Sequence, residues 1–421
     1  MKDILSHLLP RLPGAEAFIN RMVRDFVQGK SAVVLIPRSI DDDVLVSATI
    51  AALRMKDLLV DEVDVSQAGE GDSPFLLLRR VYMWDELAQN RCVSVSHLLR
   101  SDGLPQVTFL RGFDRIRADQ RTSWIEFLKQ WSDIAHSVAI DLEQPPCALA
   151  ICMTPYSDEM LPDDNPRLAI HWWWSVLSLL DIRLACRLAK EPLNDLLNAE
   201  TAWREALLPA LAGSDLRLLE WLWDAILEDH QTVFARLRAF SGVYGRLVAS
   251  RMPRQERSLT NHSFLPRQGS VKPQGADQRE LWMDGLLDQI VEIGPVLSSA
   301  WLAAVGDDET LRHRLWRGQA ALILPLINEL RLTICQAITR RHRDTWLYDW
   351  NPPATVEEER RLPADPLAAD WGQLEWALLA APHGEQHRLP AVRHARQMRN
   401  ELAHYRLVSF KDYVRLLRLI D

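Results

Sequence analysis

The amino-terminal third of the sequence alternates short strand-like runs with longer segments of helical spacing. The strand-like runs lie at residues 32–36, 60–65, 107–110 and 148–153. Apolar residues recur at helical intervals at 42–56 and 122–137, with Ser39 or Asp41 placed to cap the first helix. Strands separated by helices need crossover connections, which make the strands parallel and cover the sheet. We therefore predict an α/β domain over residues 1–160.

Two segments of this domain resemble parts of a nucleotide-binding fold. The run VTFLRGFDRIRADQRTSWIEFLKQW, at 107–131, resembles a Walker B strand followed by its turn and helix. The run CALAICMTP, at 147–155, resembles the strand that carries the sensor residue. Residues 20–156 thus resemble a P-loop ATPase of the AAA or STAND type, which implies a parallel sheet covered by helices.

The residues that bind nucleotide in such ATPases are missing at the expected positions. The segment after the first strand, at 37–43, has no glycine or lysine and carries three aspartates, which would repel a phosphate. Arg111 stands where Walker B has its metal-binding carboxylate. We therefore predict a degenerate, ATPase-like domain with neither a nucleotide cofactor nor a metal. The alternative is unusual nucleotide binding through Lys30, Ser31 and Asp114.

The rest of the chain is predicted to be helical. We expect a helical middle region at 161–259 and a linker or mobile loop at 260–278, which lacks periodicity and holds proline and glycine. Residues 279–421 are predicted to form a helical bundle, in which 280–305 is one helix broken at Gly294 and Pro295. The expected fold class is a multidomain α/β plus all-α protein.

The bundle contains the run AVRHARQMRNELAHYRLVSFKDYVRLL, at 391–417. Its Arg399-Asn400 pair and His404 resemble the R-x4-6-H signature of HEPN domains, which are common in prokaryotic toxins and antiviral RNases. The resemblance covers about residues 280–421. It implies metal-independent RNA cleavage, with His404 as the base that acts on the ribose 2′-OH and Arg399 as the phosphate clamp. Asn400 would position the phosphate or the histidine.

The resemblance also implies further contacts. Arg396 and Arg406 could bind additional RNA phosphates, and a homodimer could form through the C-terminal bundle and share the site. Residues five apart on a helix differ by about 140° in direction, so Arg399 and His404 converge only if the helix ends near Ala403. The alternative is a HEPN-like module without catalysis, in which Arg399 and Asn400 pair with neighbouring helices.

Charge and composition limit the function further. The net charge of −8 argues against a protein that coats DNA by bulk electrostatics. Residues 310–421 nevertheless carry 17 Lys and Arg against 13 Asp and Glu, which favours an anionic partner there. No uninterrupted apolar run approaches the roughly 18 residues of a membrane span. The five cysteines form no C-x-x-C pair. These features predict a cytoplasmic protein without membrane contact.

Together, the two resemblances predict a component of a prokaryotic anti-phage or abortive-infection system. Its HEPN-like domain would act on RNA as a metal-independent endoribonuclease and would be restrained by the pseudo-ATPase domain. The alternative is a non-enzymatic scaffold or regulatory subunit that docks on a partner ATPase or nuclease of the same defence operon. ATPase activity is not expected.

Overall fold

A computed structural model of the chain describes residues 8–69, 72–83, 86–101, 103–143, 145–155, 161–189, 195–244, 272–273, 276–290, 292–350, 352–353 and 355–420. Most of the linker predicted at 260–278 lies outside these described residues.

The described residues form seven strands and nineteen helices. The strands are β1 (Ser31–Leu35), β2 (Val60–Asp64), β3 (Val107–Arg111), β4 (Ala148–Met153), β5 (Leu168–Trp172), β6 (Leu287–Ile290) and β7 (Gly294–Leu297). The first ten helices are α1 (Pro13–Val27), α2 (Asp42–Arg54), α3 (Pro74–Tyr82), α4 (Glu86–Arg91), α5 (Val95–Leu99), α6 (Ala118–Leu142), α7 (Leu179–Leu188), α8 (Asp195–Ala212), α9 (Leu216–Leu222) and α10 (His230–Tyr244). The others are α11 (Ala276–Met283), α12 (Ser299–Val305), α13 (Asp308–His342), α14 (Trp346–Trp350), α15 (Val356–Arg361), α16 (Trp371–Ala380), α17 (His383–Gln386), α18 (Leu389–Ala403) and α19 (Phe410–Ile420).

These elements group into two compact units. The first contains the described residues within 1–189, 213–220 and 247–298. The second contains those within 190–212, 221–246 and 299–421. The first unit holds both sheets and the second is helical, so the α/β plus all-α fold class is confirmed.

The first unit is built on a parallel sheet of five strands in the order β2-β3-β4-β1-β5. Every residue of β1 and β4 is buried, as expected for strands that are covered on both faces. The four strands predicted from the sequence are present, and so are α2 and α6. Asp41 is the residue that caps α2, since its carboxylate accepts from the Asp43 N–H at 2.9 Å.

The fifth strand lies in a region that the sequence predicts to be helical. Residues 168–172 pair in parallel with all of β1. The apolar spacing that suggests a helix from Trp173 belongs instead to the end of this strand and to buried packing, since Trp173 lies 5.0 Å from the Phe18 ring. The helix itself begins later, at Leu179, and Ser178 caps it.

The helix predicted at 280–305 is wrong over its central part. The chain ends α11 at Met283 and then forms the antiparallel pair of β6 and β7. Gly285 and Gly294 adopt φ values of +71° and +91°, which a continuous helix does not allow. The leucines and isoleucines between these glycines follow a helical spacing, so the apolar pattern alone does not reveal the strands.

The second unit is organised around α13, which extends for 35 residues. It packs against α8 and α18. At Gly318 a Cβ atom would lie 2.6 Å from the Ala206 carbonyl oxygen, so the missing side chain lets α8 and α13 approach closely. Among the described residues, α13 is the one helix long and apolar enough to cross a membrane, with a window of mean hydropathy 1.4. One third of that window is buried inside the protein.

A carboxylate buried among cations joins α17 to the end of α13. Only 3% of the Glu385 side chain is exposed, and it accepts from Arg388 Nε at 2.8 Å and Arg341 Nη1 at 2.9 Å. His342 Nε2 lies 3.5 Å from the same carboxylate. Burial alone would raise the pKa of Glu385, but the hydrogen bonds from Arg388 and Arg341 outweigh it and hold the pKa below its ordinary value.

We expect Glu385→Gln to lower the free energy of unfolding at pH 7 by about 2 kcal/mol, because it removes the charged acceptor of two guanidinium hydrogen bonds. Since the folded pKa is depressed, the carboxylate stabilises the fold above its unfolded pKa and loses this effect as the pH falls below about 4. Urea unfolding of both proteins at pH 7 and at pH 3.5 measures the difference. The difference in the free energy of unfolding between the two proteins should be smaller at pH 3.5 than at pH 7. An equal difference at both pH values would contradict a stabilising role for the ionised Glu385.

Candidate functional site

The carboxyl edge of the five-stranded sheet is where the ATPase resemblance predicts nucleotide. Arg111, at the end of β3, is 15% exposed and its guanidinium forms an ion pair with Asp43, with Asp42 at 3.7 Å. Glu62 on β2 lies 3.9 Å from Arg111 Nε. Arg111 thus stands where the ATPase resemblance predicts a metal-binding carboxylate. Asp42 and Asp43 stand where it predicts a phosphate-binding loop.

The residues of the alternative nucleotide site do not meet at this edge. Lys30 precedes β1, and its Nζ donates to Asp25 at 2.8 Å. Ser31 is buried at the start of β1, and its hydroxyl accepts from the Leu149 N–H at 3.2 Å. Asp114 lies beyond β3 in a turn, with 83% of its side chain exposed. The charges and positions at this edge therefore oppose nucleotide binding.

The same edge is partly covered by α11 and the turn that follows it. Trp282 is fully buried, donates through Nε1 to the Trp173 carbonyl at 3.0 Å, and has its ring 5.3 Å from that of Trp172. The Arg38 N–H donates to the Met283 carbonyl at 3.1 Å. These contacts anchor a chain segment against the loop that follows β1.

In the second unit, α18 presents the candidate residues of the HEPN-like motif. Its buried side chains recur at helical spacing, at Val392, Ala395, Met398 and Leu402. They face the core of the bundle, and the helix packs against α13 and α16. The arginines of α18 lie between these positions and therefore reach the surface.

Arg396, Arg399 and Asn400 line one cleft of about 480 Å³. Arg331 of α13 lines it as well, and so does Asp370, the residue that caps α16. Three guanidiniums and one carboxylate give the cleft a net positive character, which suits an anionic ligand.

The three arginines of the cleft differ in how strongly the protein already binds them. Arg331 donates to the Leu367 and Ala369 carbonyls at 2.6 and 2.8 Å. Arg396 donates to Glu375 at 2.6 Å. Arg399 is exposed, and among the described residues its guanidinium donates only to the side chain of its neighbour Asn400, at 3.3 Å. Arg399 is therefore the cation of the cleft that is most available to an external anion.

Glu375, on α16, holds two arginines at once. Its carboxylate accepts from Arg396 at 2.6 Å and from Arg393 at 2.9 Å. The hydrogen bond from Arg396 lowers the pKa of Glu375 below its ordinary value, and Arg393 adds to the effect against the opposing effect of burial. Glu375 thus stays ionised at neutral pH and competes with any anion for Arg396.

His404 lies at the end of α18, outside the residues that line the cleft. It is exposed, and its backbone N–H donates to the Asn400 and Glu401 carbonyls at 3.1 Å. The helix ends at Ala403, as the sequence reasoning requires for convergence with Arg399. Arg406 follows in the same turn, 69% exposed, with Glu401 at 3.5 Å. The structure thus brings Arg396, Arg399 and Asn400 together and leaves His404 and Arg406 at the helix end.

The loop after α18 is fixed to α13 by two side chains. Trp316 Nε1 donates to the Leu402 carbonyl at 2.7 Å. The buried amide of Gln319 donates to the Val408 carbonyl and accepts from the Val408 N–H, both at 2.8 Å. Sequence reasoning missed these residues, and it missed Arg331 and Glu375, because single residues on distant helices produce no local pattern.

Comparisons with known proteins give little further information. No protein-family model and no curated protein matches the chain. Among solved structures, Drosophila ORC bound to poly(dA/dT) DNA and Cdc6 is similar at a TM-score of 0.33 and 12% identity, over 100% of this chain and 71% of that one. So low a score carries no functional conclusion. The five-stranded parallel sheet is present as the P-loop resemblance implies, while the ATPase and HEPN resemblances themselves stay predictions.

Proposed function

We propose that the second unit binds RNA and cleaves it without a metal ion, with Arg399 holding the scissile phosphate and His404 acting as the base. The observation that carries this proposal is the exposed Arg399 guanidinium, which lies in a cleft lined by two further arginines. Within the part of the chain that the structure describes, its one hydrogen bond is the 3.3 Å contact with Asn400. Arginine forks match the geometry of phosphate oxygens, which supports phosphate as the ligand.

The proposed reaction is attack of the ribose 2′-oxygen on the adjacent phosphorus. His404 takes the proton of the 2′-OH, the O2′–P bond forms, and the P–O5′ bond breaks. The leaving O5′ takes a proton from water, and the hydroxide that remains takes up the proton held by His404, so the imidazole returns to its starting state. The products carry a 2′,3′-cyclic phosphate and a 5′-OH. Arg399 stabilises the negative charge that develops on the phosphate oxygens.

Because His404 lies outside the residues that line the cleft, the proposal requires the Arg399 side chain to extend toward the end of α18. Five helical residues rise about 7.5 Å along the axis, and the Arg399 side chain is long enough to reach across much of that distance. In a homodimer formed through the C-terminal bundle, Arg399 of one copy could instead meet His404 of the other. Arg396 and Arg406 would hold neighbouring phosphates in either arrangement.

Incubation of the full chain with RNA of mixed sequence in EDTA tests the proposal. We expect cleavage, with 2′,3′-cyclic phosphate ends identified by mass spectrometry. Intact RNA under these conditions, or cleavage that needs added Mg²⁺, would rule out the proposed mechanism.

The proposal includes a role for the first unit. We propose that the chain is a component of a prokaryotic anti-phage or abortive-infection system, in which the first unit restrains the RNase. The second candidate function is a non-enzymatic scaffold that docks on a partner ATPase or nuclease. The pairing of Arg111 with Asp43 favours it, because an inverted charge pattern suits a fold kept for its contacts. Co-purification with a neighbour-encoded protein, with RNA left intact, would support this second candidate.

Glu375→Gln is expected to tighten RNA binding severalfold, because it releases Arg396 and Arg393 to bind phosphate. The salt dependence of binding should steepen as well, since each additional phosphate contact releases one more counterion. Fluorescence anisotropy of labelled RNA over a salt series measures both quantities.

The matched control is Asp344→Asn, which removes the same charge from an exposed position after α13. Asp344→Asn should change the affinity for RNA much less than Glu375→Gln does. Equal gains in the two variants would mean that net charge alone sets the affinity, and that the cleft has no specific part in it.

A further inference from the structure

Three aromatic rings stack at the surface of the second unit, beside the end of α18. His313 and Trp316 project from one side of α13 with ring centroids 5.5 Å apart and planes inclined by 25°. The Tyr405 ring lies 4.6 Å from Trp316 and 6.5 Å from His313. His313 is exposed and Tyr405 is 62% exposed, so the stack is open to solvent. We call these three residues the aromatic stack.

Tyr405 occupies a backbone position that normally takes glycine. Its φ is +56°, and it closes α18 with bonds from the Tyr405 N–H to the Leu402 carbonyl and from the Arg406 N–H to the Glu401 carbonyl. This left-handed helix end disfavours any side chain with a Cβ atom. A large ring is present nonetheless, and most of its surface faces water. The contact with Trp316 uses part of the ring, and the exposed remainder is open to a ligand.

Basic residues adjoin the members of the aromatic stack in the sequence. Arg312 and Arg317 are exposed on α13 beside His313 and Trp316. His404 and Arg406 flank Tyr405 in the chain and are exposed as well. Aromatic rings interleaved with cations are typical of surfaces that bind single-stranded nucleic acid, where bases stack on rings and phosphates pair with the cations.

We propose that His313, Trp316 and Tyr405 form a stacking platform for an unpaired RNA base next to the phosphate held by Arg399. This inference rests on the proposed function and narrows its substrate to single-stranded RNA. A duplex keeps its bases inside the helix, so the platform would select strands whose bases are already unstacked. Since Tyr405 directly follows His404, a base on the platform would fix the ribose beside the catalytic imidazole.

The platform can be tested by RNA binding with 2-aminopurine, whose fluorescence falls when it stacks on an aromatic ring. We expect wild-type protein to quench a single-stranded oligonucleotide and to bind the matching duplex more weakly. Tyr405→Leu should lose the quenching and about tenfold in affinity. Tyr405→Phe should keep both, because the ring remains.

Two further variants test whether misfolding, or the loss of any exposed aromatic ring, could explain weaker RNA binding. Tyr405→Gly removes the ring and relaxes the backbone, so a loss of RNA binding in a protein that unfolds normally cannot be attributed to misfolding. Trp376→Ala removes a tryptophan that is 63% exposed elsewhere in the second unit, and it should bind RNA like wild type.

The outcomes separate the platform from the proposed function. If Tyr405→Leu and His313→Ala bind and quench like wild type while Arg399→Ala loses binding, the platform is overturned and the RNA-binding proposal stands. If single strand and duplex bind equally and neither depends on Tyr405, the platform is likewise overturned. If wild-type protein binds no RNA, both proposals fail.

Discussion

His404→Ala is expected to slow RNA cleavage in EDTA by about 10²- to 10⁴-fold, the usual contribution of a general base. The affinity for intact RNA should change little, because the exposed imidazole is assigned to proton transfer and the arginines to binding. Single-turnover rates give the chemical step, and anisotropy with a non-cleavable 2′-deoxy substitution at the scissile ribose gives the affinity. A variant that loses both to the same degree would identify His404 as a binding residue instead.

Arg399→Ala should lower both the affinity for RNA and the rate of cleavage. Loss of the phosphate contact weakens binding, and loss of charge stabilisation lowers the rate by about 10²- to 10³-fold. Arg399→Lys should recover part of the binding and little of the rate, since lysine lacks the forked donors. The matched control is Arg340→Ala, which removes an exposed arginine far from the cleft on α13. Equal losses in Arg340→Ala and Arg399→Ala would contradict a specific role for the cleft.

The largest effect on stability is expected from Trp282→Ala in the first unit. The substitution leaves a cavity where a fully buried indole stood, which costs about 3–5 kcal/mol, and it removes the donor to the Trp173 carbonyl. Trp282→Phe fills most of the space and should cost less. Urea unfolding followed by circular dichroism measures the cost, and hydrogen exchange of the β1 and β5 amides locates it.

The region that loses hydrogen-exchange protection in Trp282→Ala is as informative as the change in the free energy of unfolding. Since Trp282 is anchored at the end of β5, we expect protection to fall first in the first unit. Trp376→Ala is the control, because this tryptophan is 63% exposed and its loss should cost less than about 0.5 kcal/mol. A small effect of Trp282→Ala, or a loss of protection confined to the second unit, would contradict the role assigned to Trp282.

The sequence predicts most of the elements, and its errors have a common cause. Elements with strong local signals are present as expected: the buried run at β1, the Asp41 cap of α2 and the periodic segment of α6. The strand at 168–172 exists because β1 pairs with it from more than 130 residues away, which no local pattern reveals. The β6–β7 pair depends on the positive φ values of its glycines, which the sequence does not specify.

The candidate site was predicted only in part for the same reason. Arg396, Arg399 and Asn400 share one stretch of α18, so a motif could find them. Glu375 and Arg331 come from other helices, and their roles follow from packing. The helical rotation between Arg399 and His404 is predictable from their spacing. The spacing does not predict which of the two side chains faces the cleft, because that depends on the neighbouring helices.

The position of bound RNA on the chain tests the central proposal most directly. RNA that contains 4-thiouridine can be bound to full-length His404→Ala protein, so that it stays intact, and then cross-linked by ultraviolet light. We expect mass spectrometry to find adducts in peptides from residues 308–331 and 389–406, and we expect Arg399→Ala to abolish them. Adducts confined to the first unit, or an unchanged yield in the Arg399→Ala protein, would contradict RNA binding at this cleft.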